Sequence, residues 1–181
     1  MLETISNLDT AIFRFLNSAL ANTAFDSFFP FITKNSNWYG VWVLLCIFII
    51  WKRRKNGVII VCIMLIGVAF ADFLSSQIIK EFIARPRPCH TLTGIRLLVD
   101  CGAGKSFPSS HAVNNFFAAV FLSQFFVKQK YYFFIIAFLV AFSRVYVGVH
   151  YPLDITGGAL LGSAIGFGFA QLAKLIIRKS E

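Results

Sequence analysis

Charge is scarce in this chain of 181 residues: 14% of the residues are Asp, Glu, Lys or Arg, whereas 57% are hydrophobic. A mean hydropathy of +0.72 is too apolar for a water-soluble globular domain, so the sequence indicates a protein embedded in a bilayer. The 22 Phe and 12 Gly residues indicate lipid-facing bulk that alternates with close contacts between helices. The length predicts a single membrane-embedded domain over residues 1–181.

Acidic residues are scarcer than basic ones, with 8 Asp and Glu against 17 Lys and Arg and a formal net charge of +9. In a membrane protein, Lys and Arg first mark the cytoplasmic side, so this charge does not predict a nucleic-acid partner. The chain start also lacks the basic residues and the small-residue cleavage site of a secretory signal peptide. Internal repeats and low-complexity linkers are absent from the sequence as well.

Five hydrophobic stretches approach the ~20 residues that a helix needs to cross the ~30 Å hydrocarbon core of a bilayer. The stretches are 36–51, 57–79, 111–127, 131–147 and 153–177. The fold class predicted from this pattern is all-α: an integral-membrane helical bundle of about five transmembrane helices.

The first 34 residues allow two interpretations. Apolar residues recur there at helical spacing, which predicts a helix lying in the membrane interface; they are Leu2, Ile5, Leu8, Ile12, Phe15 and Leu16. A sixth span over residues 19–32 would have to bury Asn22 and Asp26. We therefore prefer an interfacial segment over residues 1–34 and keep six spans as the alternative.

The orientation follows from the distribution of basic residues. With a cytoplasmic carboxyl terminus, that side carries Lys52, Arg53, Arg54, Lys55, Lys128, Lys130, Lys174, Arg178 and Lys179. The opposite side carries Arg14, Lys34, Arg85, Arg96 and Lys105, once Lys80, Arg87 and Arg144 are set aside as functional candidates. This excess predicts a cytoplasmic carboxyl terminus and an outer loop over residues 80–110.

This orientation gathers the chemistry-bearing residues at the outer ends of the helices. Lys80 and Arg87 offer two donors to an oxyanion, although such a pair can also snorkel at an interface. Ser109 and Ser110 precede the third span, where a serine N-cap and the free amides of a first helical turn can bind an anion. His111 stands in that first turn, and a plain helix cap is the alternative reading.

A third group of polar residues follows the fourth span. Arg144 ends this span, and His150 and Asp154 stand four positions apart, so they can face each other on a helical turn. A carboxylate that orients an imidazole prepares its other nitrogen for nucleophilic attack or proton transfer. Each ionisable group is costly near lipid, so the convergence of polar residues at one level indicates a functional site; these residues are Lys80, Arg87, Ser109, His111, Arg144, His150 and Asp154.

Taken together, these residues form three motifs in a fixed order: Lys80-x6-Arg87-Pro88, Pro108-Ser109-Ser110-His111 and Ser143-Arg144-x5-His150-x3-Asp154. This pattern resembles the signature of the type 2 phosphatidic acid phosphatase superfamily, the integral-membrane lipid phosphatases. One position departs from it, because the family usually has Gly where Ser110 stands. The resemblance implies a metal-free site without a cofactor, on the outer face of a helical bundle.

The resemblance also implies roles for individual residues. His150 would form a phosphohistidine, Asp154 would orient its imidazole, and His111 would protonate the departing lipid oxygen. The phosphoryl oxygens would be held by Lys80, Arg87, Ser109, Ser110 and Arg144.

Two other functions compete with this reading. His90, together with His111, His150 and Asp154, could ligate a metal, although two-metal phosphoesterase sites generally need several carboxylates. A lipid-phosphate binder or flippase needs only the cations, so the histidine and carboxylate pair argues against it.

The expected partners are a phosphorylated membrane lipid and the bilayer, with no obligatory protein partner. Lipid A 1-phosphate is the preferred substrate, and undecaprenyl diphosphate and phosphatidylglycerophosphate are the alternatives. The expected location is the bacterial inner membrane, with several spans and the active site facing the periplasm.

The sequence also predicts three structural features of the helices and the outer loop. Cys89 and Cys101 are expected to form a disulfide in the oxidising outer compartment, whereas Cys46 and Cys62 fall within spans and are expected to be free. Asp72, inside the second span, is expected to have a structural partner. Small residues in the last span predict close helix packing, and they are Gly157, Gly158, Gly162, Gly166 and Gly168.

Overall fold

A computed structural model describes residues 2–180, so the two ends of the predicted domain, Met1 and Glu181, lie outside the described residues. Within residues 2–180 the regular structure is entirely helical, as the sequence predicts. The α-helices are α1 (Leu2–Arg14), α2 (Thr23–Thr33), α3 (Tyr39–Phe73), α4 (Lys80–Ile83), α5 (Pro88–Thr91), α6 (Ser110–Ser123), α7 (Lys130–Tyr146) and α8 (Pro152–Ser180).

Helix α3 is a hairpin of two antiparallel arms, residues 39–53 and 55–73. The chain reverses at Arg54, whose backbone angles (φ 52°, ψ −127°) are not helical. The two arms touch closely beside the turn, since a Cβ atom added to Gly57 would lie 2.5 Å from the carbonyl oxygen of Ile49. A π-helical segment, Leu74–Ile79, extends the second arm into α4. The hairpin corresponds to the first two predicted spans and the basic turn between them.

Helices α6 and α8 pack backbone against backbone along glycines spaced four residues apart. A Cβ atom added at these glycines would lie 2.8, 2.1 and 2.5 Å from a carbonyl oxygen, in the pairs Gly158 with Ser109, Gly162 with Val113 and Gly166 with Phe117. Close helix packing is therefore confirmed at Gly158, Gly162 and Gly166. At Gly168 an added Cβ atom would meet nothing within 4 Å, and at Gly157 it would meet the ring of Phe107. The packing brings the first turn of α6 against the first turn of α8.

The basic residues assigned to one side of the membrane gather at one end of the bundle. Arg53 Nη2, beside the hairpin turn, donates to the carbonyl oxygen of Phe125 at 2.7 Å. Lys174 Nζ, late in α8, donates to Gln124 Oε1 at 2.8 Å. The hairpin turn, the α6–α7 connection and the last turns of α8 therefore share this end, and the candidate site lies at the other.

Within residues 2–180, two helical stretches qualify as membrane spans by length and hydropathy. They are Asn35–Thr91, which contains the α3 hairpin and reaches a mean hydropathy of 2.6, and Pro152–Ser180, which reaches 1.7. Helices α6 and α7 have 14 and 17 residues, fewer than the ~20 of a full span. The number of five spans with an interfacial helix therefore stays a prediction.

The amino-terminal segment turns part of its polar face toward the protein, which the interfacial interpretation did not anticipate. Asp9 and Asn17 are buried, whereas Leu8 and Phe15 of the apolar face are more than half exposed. Asn17 Nδ2 donates to the carbonyl oxygens of Arg96 and Tyr146, both at 2.8 Å. The two polar side chains point inward because they find partners there, and they fasten α1 to the end of the bundle that carries the site.

Candidate active site

The turn between α7 and α8 directs His150 into the bundle. Gly148 adopts φ 91°, and a Cβ atom there would lie 2.4 Å from the carbonyl oxygen of Arg96, so a side chain at this position would be both strained and crowded. The amides of Val149 and His150 both donate back to the carbonyl oxygen of Arg144, at 3.1 and 3.2 Å. The turn thus holds His150 beside the end of α7.

His150 and Asp154 form the predicted pair. The Nδ1 atom of His150 lies 3.4 Å from Oδ2 of Asp154, and the side chains are 2% and 0% exposed. The same carboxylate oxygen accepts from Ser106 Oγ at 2.6 Å and from the Tyr151 amide at 2.7 Å. Its other oxygen accepts from Arg85 Nη1 at 2.8 Å. The buried carboxylate is therefore fully partnered, and it faces the Nδ1 side of the imidazole.

The surroundings of His150 favour its neutral form. Burial above all, with the positive charges of Arg144 and Arg87, lowers the pKa of His150 from 6.5 to about 4 against the opposing effect of Asp154. A neutral imidazole with its Nδ1 side toward a carboxylate offers the lone pair of Nε2 to an electrophile. The arrangement is suited to nucleophilic attack by Nε2.

His111 and Arg144 meet at a residue that the sequence did not single out. The Nε2 atom of His111 lies 3.0 Å from the carbonyl oxygen of Thr33, and Nη1 of Arg144 donates to Thr33 Oγ1 at 2.7 Å. Thr33 is the last residue of α2 and is buried. The amino-terminal segment therefore reaches the site at this residue.

Lys80 and Ser110 connect α4 to the start of α6. Lys80 Nζ donates to Ser110 Oγ at 2.9 Å, and Ser76 Oγ lies 2.9 Å from the same hydroxyl. The departure from the family pattern at Ser110 thus supplies a hydroxyl that bonds to Lys80. A glycine at this position would leave Lys80 without this partner.

Two polar side chains at the site retain unused hydrogen-bonding atoms. Ser109 occupies the N-cap position of α6, as predicted, but its side chain does not cap the helix. Ser109 Oγ and Arg144 Nε are buried and lack a protein partner within residues 2–180. Arg87 is mostly buried and donates through Nε to the carbonyl oxygen of Gly104 at 2.9 Å. These groups are available to an oxyanion.

The loop over the site carries the predicted disulfide. Cys89 and Cys101 are bonded, with their Cα atoms 6.1 Å apart, and Cys46 and Cys62 are free. His90 is exposed beside this bond. The two neighbouring sulfur atoms are therefore not thiolates that could join His90 as metal ligands.

Asp72 has the structural partner expected for it. Asn114 Nδ2, on α6, donates to Asp72 Oδ1 at 3.0 Å. The pair lines a cavity of about 510 Å³ between the α3 hairpin and α6, together with Trp38 and Trp42.

Four contributors to the site escaped the sequence analysis: Asp9, Thr33, Arg85 and Ser106. Arg85 lies inside the first motif, two residues before Arg87, and could have been singled out by that position. Thr33 offers His111 a carbonyl oxygen, which any residue type would provide. Asp9 falls on the polar side of the helix predicted at the start of the chain, so the sequence gives no sign of its buried ion pair with Arg85.

A helical bundle that holds a buried histidine and carboxylate pair among cationic side chains is typical of phosphoryl-transfer enzymes that use a histidine nucleophile. The sequence model of the PAP2 superfamily matches residues 57–178. The chain belongs to this superfamily and is a lipid phosphate phosphatase.

Curated relatives extend the similarity beyond the matched region. The chain is 31% identical to the lipid A 4′-phosphatase of Bacteroides thetaiotaomicron over 182 residues, which cover 96% of this chain and 80% of the relative. It is 36% identical to the undecaprenyl-diphosphatase of Sulfolobus acidocaldarius over 145 residues, which cover 78% of this chain and 68% of the relative.

Two solved structures share the fold. The crystal structure of Aquifex aeolicus LpxE superposes with a TM-score of 0.73 at 28% identity and covers 91% of this chain and 95% of that one. The transmembrane PAP2-type phosphatidylglycerolphosphate phosphatase from Bacillus subtilis gives a TM-score of 0.69 at 26% identity, with 98% and 88% covered.

Proposed function

We propose that this enzyme removes a phosphate from lipid A at the outer leaflet of the bacterial inner membrane, through a phosphohistidine formed on His150. The observation that carries the proposal is the buried pair of His150 and Asp154, 3.4 Å apart. The pKa of His150, lowered by burial to about 4, keeps the imidazole neutral and nucleophilic at neutral pH.

The proposed reaction has two steps. In the first, Nε2 of His150 attacks phosphorus and the bond to the lipid oxygen breaks. His111, which the negative charge of the bound phosphate keeps protonated, donates its proton to that oxygen. In the second, water attacks the phosphohistidine and neutral His111 takes a proton from the water, which restores both histidines and releases phosphate. Asp154 stabilises the positive charge that the His150 ring acquires between the two steps.

The phosphoryl group is held by cations and hydrogen-bond donors from separate elements. We assign this role to Lys80 of α4, Arg87 of the loop and Arg144 of α7, with the unpartnered Ser109 hydroxyl and the Ser110 amide at the start of α6. Guanidinium groups match the phosphoryl oxygens with two donors each, and a first helical turn adds amides that have no intrahelical acceptor.

Because three side-chain cations can neutralise the phosphoryl charge, we propose catalysis without a metal. The distant alternative is a lipid-phosphate binder or flippase, which needs these cations alone. The buried histidine and carboxylate pair argues for cleavage, because binding without chemistry gains nothing from it.

Similarity to the lipid A 4′-phosphatase of Bacteroides thetaiotaomicron over most of both chains supports lipid A as the substrate. We therefore propose the 4′-phosphate as the first position to test, beside the 1-phosphate that the sequence alone favours. The second candidate is undecaprenyl diphosphate, which the 36% identity to the Sulfolobus acidocaldarius enzyme favours. Phosphatidylglycerophosphate is the third.

The proposed orientation puts the carboxyl terminus in the cytoplasm and the active site at the periplasmic surface. The segregation of basic residues to the bundle end opposite the site supports this orientation. A disulfide at the site end agrees with an oxidising compartment.

The test is a panel of purified enzyme with bisphosphorylated lipid A, undecaprenyl diphosphate and phosphatidylglycerophosphate, measured by phosphate release. Mass spectrometry of the lipid A product identifies the position that is lost. We expect the highest kcat/KM on lipid A; a higher value on undecaprenyl diphosphate would move the assignment to the second candidate.

The covalent step is tested with a radiolabelled lipid phosphate, quenched in alkaline detergent because phosphohistidine is labile to acid. Label is expected on the parent chain and on His90→Ala, which changes an exposed histidine, but not on His150→Ala. Label retained by His150→Ala would contradict the mechanism.

A further inference from the structure

Three charged side chains, joined by two ion pairs, connect the amino-terminal helix to the site. Asp9 Oδ2 of α1 lies 2.6 Å from Arg85 Nη2, and Arg85 Nη1 lies 2.8 Å from Asp154 Oδ1. The side chains of the two carboxylates are 1% and 0% exposed. The other oxygen of Asp9 accepts from the amide of Leu153, at the start of α8, at 2.9 Å. Asp9 therefore contacts both Arg85 and the helix that carries Asp154.

We propose that Asp9 is a positioning residue for the phosphoryl-transfer reaction: by sharing Arg85, it preserves the negative charge that Asp154 presents to His150. This inference rests on the proposed function in one respect, the role of His150 as nucleophile. It does not depend on which lipid is the substrate.

The proposed effect of Asp9 is one of charge balance. Arg85 alone beside Asp154 would form a neutral pair, and a neutral pair stabilises a positively charged imidazole poorly. With Asp9 on its other side, the group of three carries a net charge of −1. Both carboxylates are buried and Arg85 is 21% exposed, so charges interact more strongly there than in water. Burial lowers the pKa of Arg85, but Asp154 and Asp9 outweigh this effect and raise it, so the guanidinium stays charged.

Arg85 is also fixed in place, so that it acts as a bridge of constant length. Its guanidinium lies over the ring of Tyr151, 4.1 Å from the centroid, in a cation–π contact. The Tyr151 amide in turn donates to Asp154 Oδ2. Asp9 thereby acts on His150 through Arg85 and Asp154, without touching the reacting atoms.

Other charged groups around His150 also act on its protonation. The ring is faced by Asp154 of α8, Arg144 of α7, Arg87 of the loop and His111 of α6. Two of these groups are permanent cations, so a single additional negative charge changes the local balance substantially. The PAP2 superfamily model begins at residue 57, and Asp9 lies outside it.

The experiment follows His150 directly by NMR in detergent micelles. The chain contains 3 histidines, so ¹³C labelling of the imidazole Cε1 atoms gives few resonances, and His150→Gln identifies the one of interest. The pH midpoint of this resonance reports protonation of His150 and of Asp154 beside it. The variants are Asp9→Asn, Arg85→Gln and the double variant, with Glu3→Gln as a control that removes a charge from an exposed position on α1.

Opposite shifts are expected for the two single variants. Arg85→Gln leaves two buried carboxylates and should raise the midpoint by about one pH unit, the size expected for one charge in a partly screened interior. Asp9→Asn should lower the midpoint and reduce kcat by about 10-fold to 100-fold, the range found when a side chain that supports a metal-binding histidine is removed from an enzyme. The double variant should return the midpoint to the parent value, and Glu3→Gln should change neither quantity.

If Asp9 served only to hold α1 against the bundle, the variants would give different results. In that case Asp9→Asn would reduce thermal stability and kcat without moving the midpoint, and the inference would be overturned. If Asp9→Asn alone does not fold, the role of Asp9 is tested by comparing Arg85→Gln with the double variant. The midpoint of His150 must then be lower in the double variant than in Arg85→Gln.

Failure of the inference can be distinguished from failure of the proposed function. Substantial activity in His150→Gln would refute the nucleophile, whatever the midpoints show. Unshifted midpoints with an inactive His150→Gln would refute only the role of Asp9.

Discussion

The Nε2 atom of His111 lies 3.0 Å from the carbonyl oxygen of Thr33. Because a carbonyl oxygen can only accept, this contact assigns a hydrogen to Nε2 of His111. The side chain of Thr33 accepts from Arg144 at 2.7 Å. The end of α2 therefore holds both the proposed general acid and one of the phosphate-binding cations.

Replacing Thr33 by Val should separate these two contacts, since the carbonyl oxygen remains and the hydroxyl is lost. A hydrogen bond to a charged group contributes about 1.5–3 kcal/mol, so kcat/KM should fall by about tenfold or more. Thr33→Ser keeps the hydroxyl and should stay near the parent value. Equal losses in the two variants, measured on one lipid substrate, would show that the hydroxyl is not the group that matters.

The two histidines of the site should respond differently to the leaving group. His150→Ala should abolish turnover of every substrate, because the covalent intermediate cannot form. His111→Ala should lose most activity on a lipid phosphate and less on p-nitrophenyl phosphate, whose phenolate departs without a proton. The measurement compares the steady-state rates of the variants on both substrates, and size-exclusion chromatography checks that each variant is folded. An equal loss of activity on both substrates in His111→Ala would show that His111 is not the general acid.

Acid should destabilise the protein partly through His150. Its pKa is lowered from 6.5 to about 4 by burial, so the unfolded chain takes up this proton at a higher pH than the folded one. The resulting stability is present above pH 6.5 and is lost as the pH falls toward 4, by up to about 3 kcal/mol. Thermal unfolding in detergent at pH 7.5 and 4.5 should therefore show a smaller decrease for His150→Gln than for the parent. A decrease of the same size in both would contradict the buried neutral imidazole.

The glycine contacts between α6 and α8 predict that the effect of replacing a glycine of α8 depends strongly on its position in the helix. Gly162→Leu should prevent folding or abolish activity, because even a Cβ atom would lie 2.1 Å from the carbonyl oxygen of Val113. Gly168→Leu is the matched control, since its Cβ atom meets nothing within 4 Å. Yield of monodisperse protein and thermal midpoint provide the measurement. Similar behaviour of the two variants would show that the backbone contact is not needed.

Chelation should leave the activity unchanged, because Lys80, Arg87 and Arg144 supply the positive charge that a metal would otherwise provide. Vanadate, which adopts the five-coordinate geometry of phosphorus during transfer, should inhibit. Phosphate release is measured after dialysis against EDTA, with and without added divalent ions. Loss of turnover on chelation and its recovery with one of those ions would favour the metal hydrolase.

The sequence predicted those parts of the site that depend on short-range geometry. His150 and Asp154 are four residues apart, and Ser109 to His111 open a helix, so spacing along one element is enough to bring them together. The contact of Asp9 with Arg85 spans 76 residues and that of Thr33 with His111 spans 78. Hydrophobic periodicity carries no information about such pairings, because they depend on how separate helices pack.

The same limit explains the amino-terminal segment. Its apolar residues predicted a helix with an exposed hydrophobic face, and Leu8 and Phe15 are exposed accordingly. The sequence could not predict whether the polar side chains face water or the protein. Asp9 and Asn17 would satisfy their hydrogen bonds equally well in water or against Arg85 and Arg96. The structure selects the second arrangement, which makes this segment part of the site.

The backbone contact between α6 and α8 also bears on how the enzyme responds to the membrane around it. Helices adjust to bilayers of different thickness by tilting, and two helices joined at every fourth residue must tilt as one body. The first turn of α6 carries His111 and the first turn of α8 carries Asp154. The spacing between these two turns should therefore be preserved in thin and thick bilayers alike.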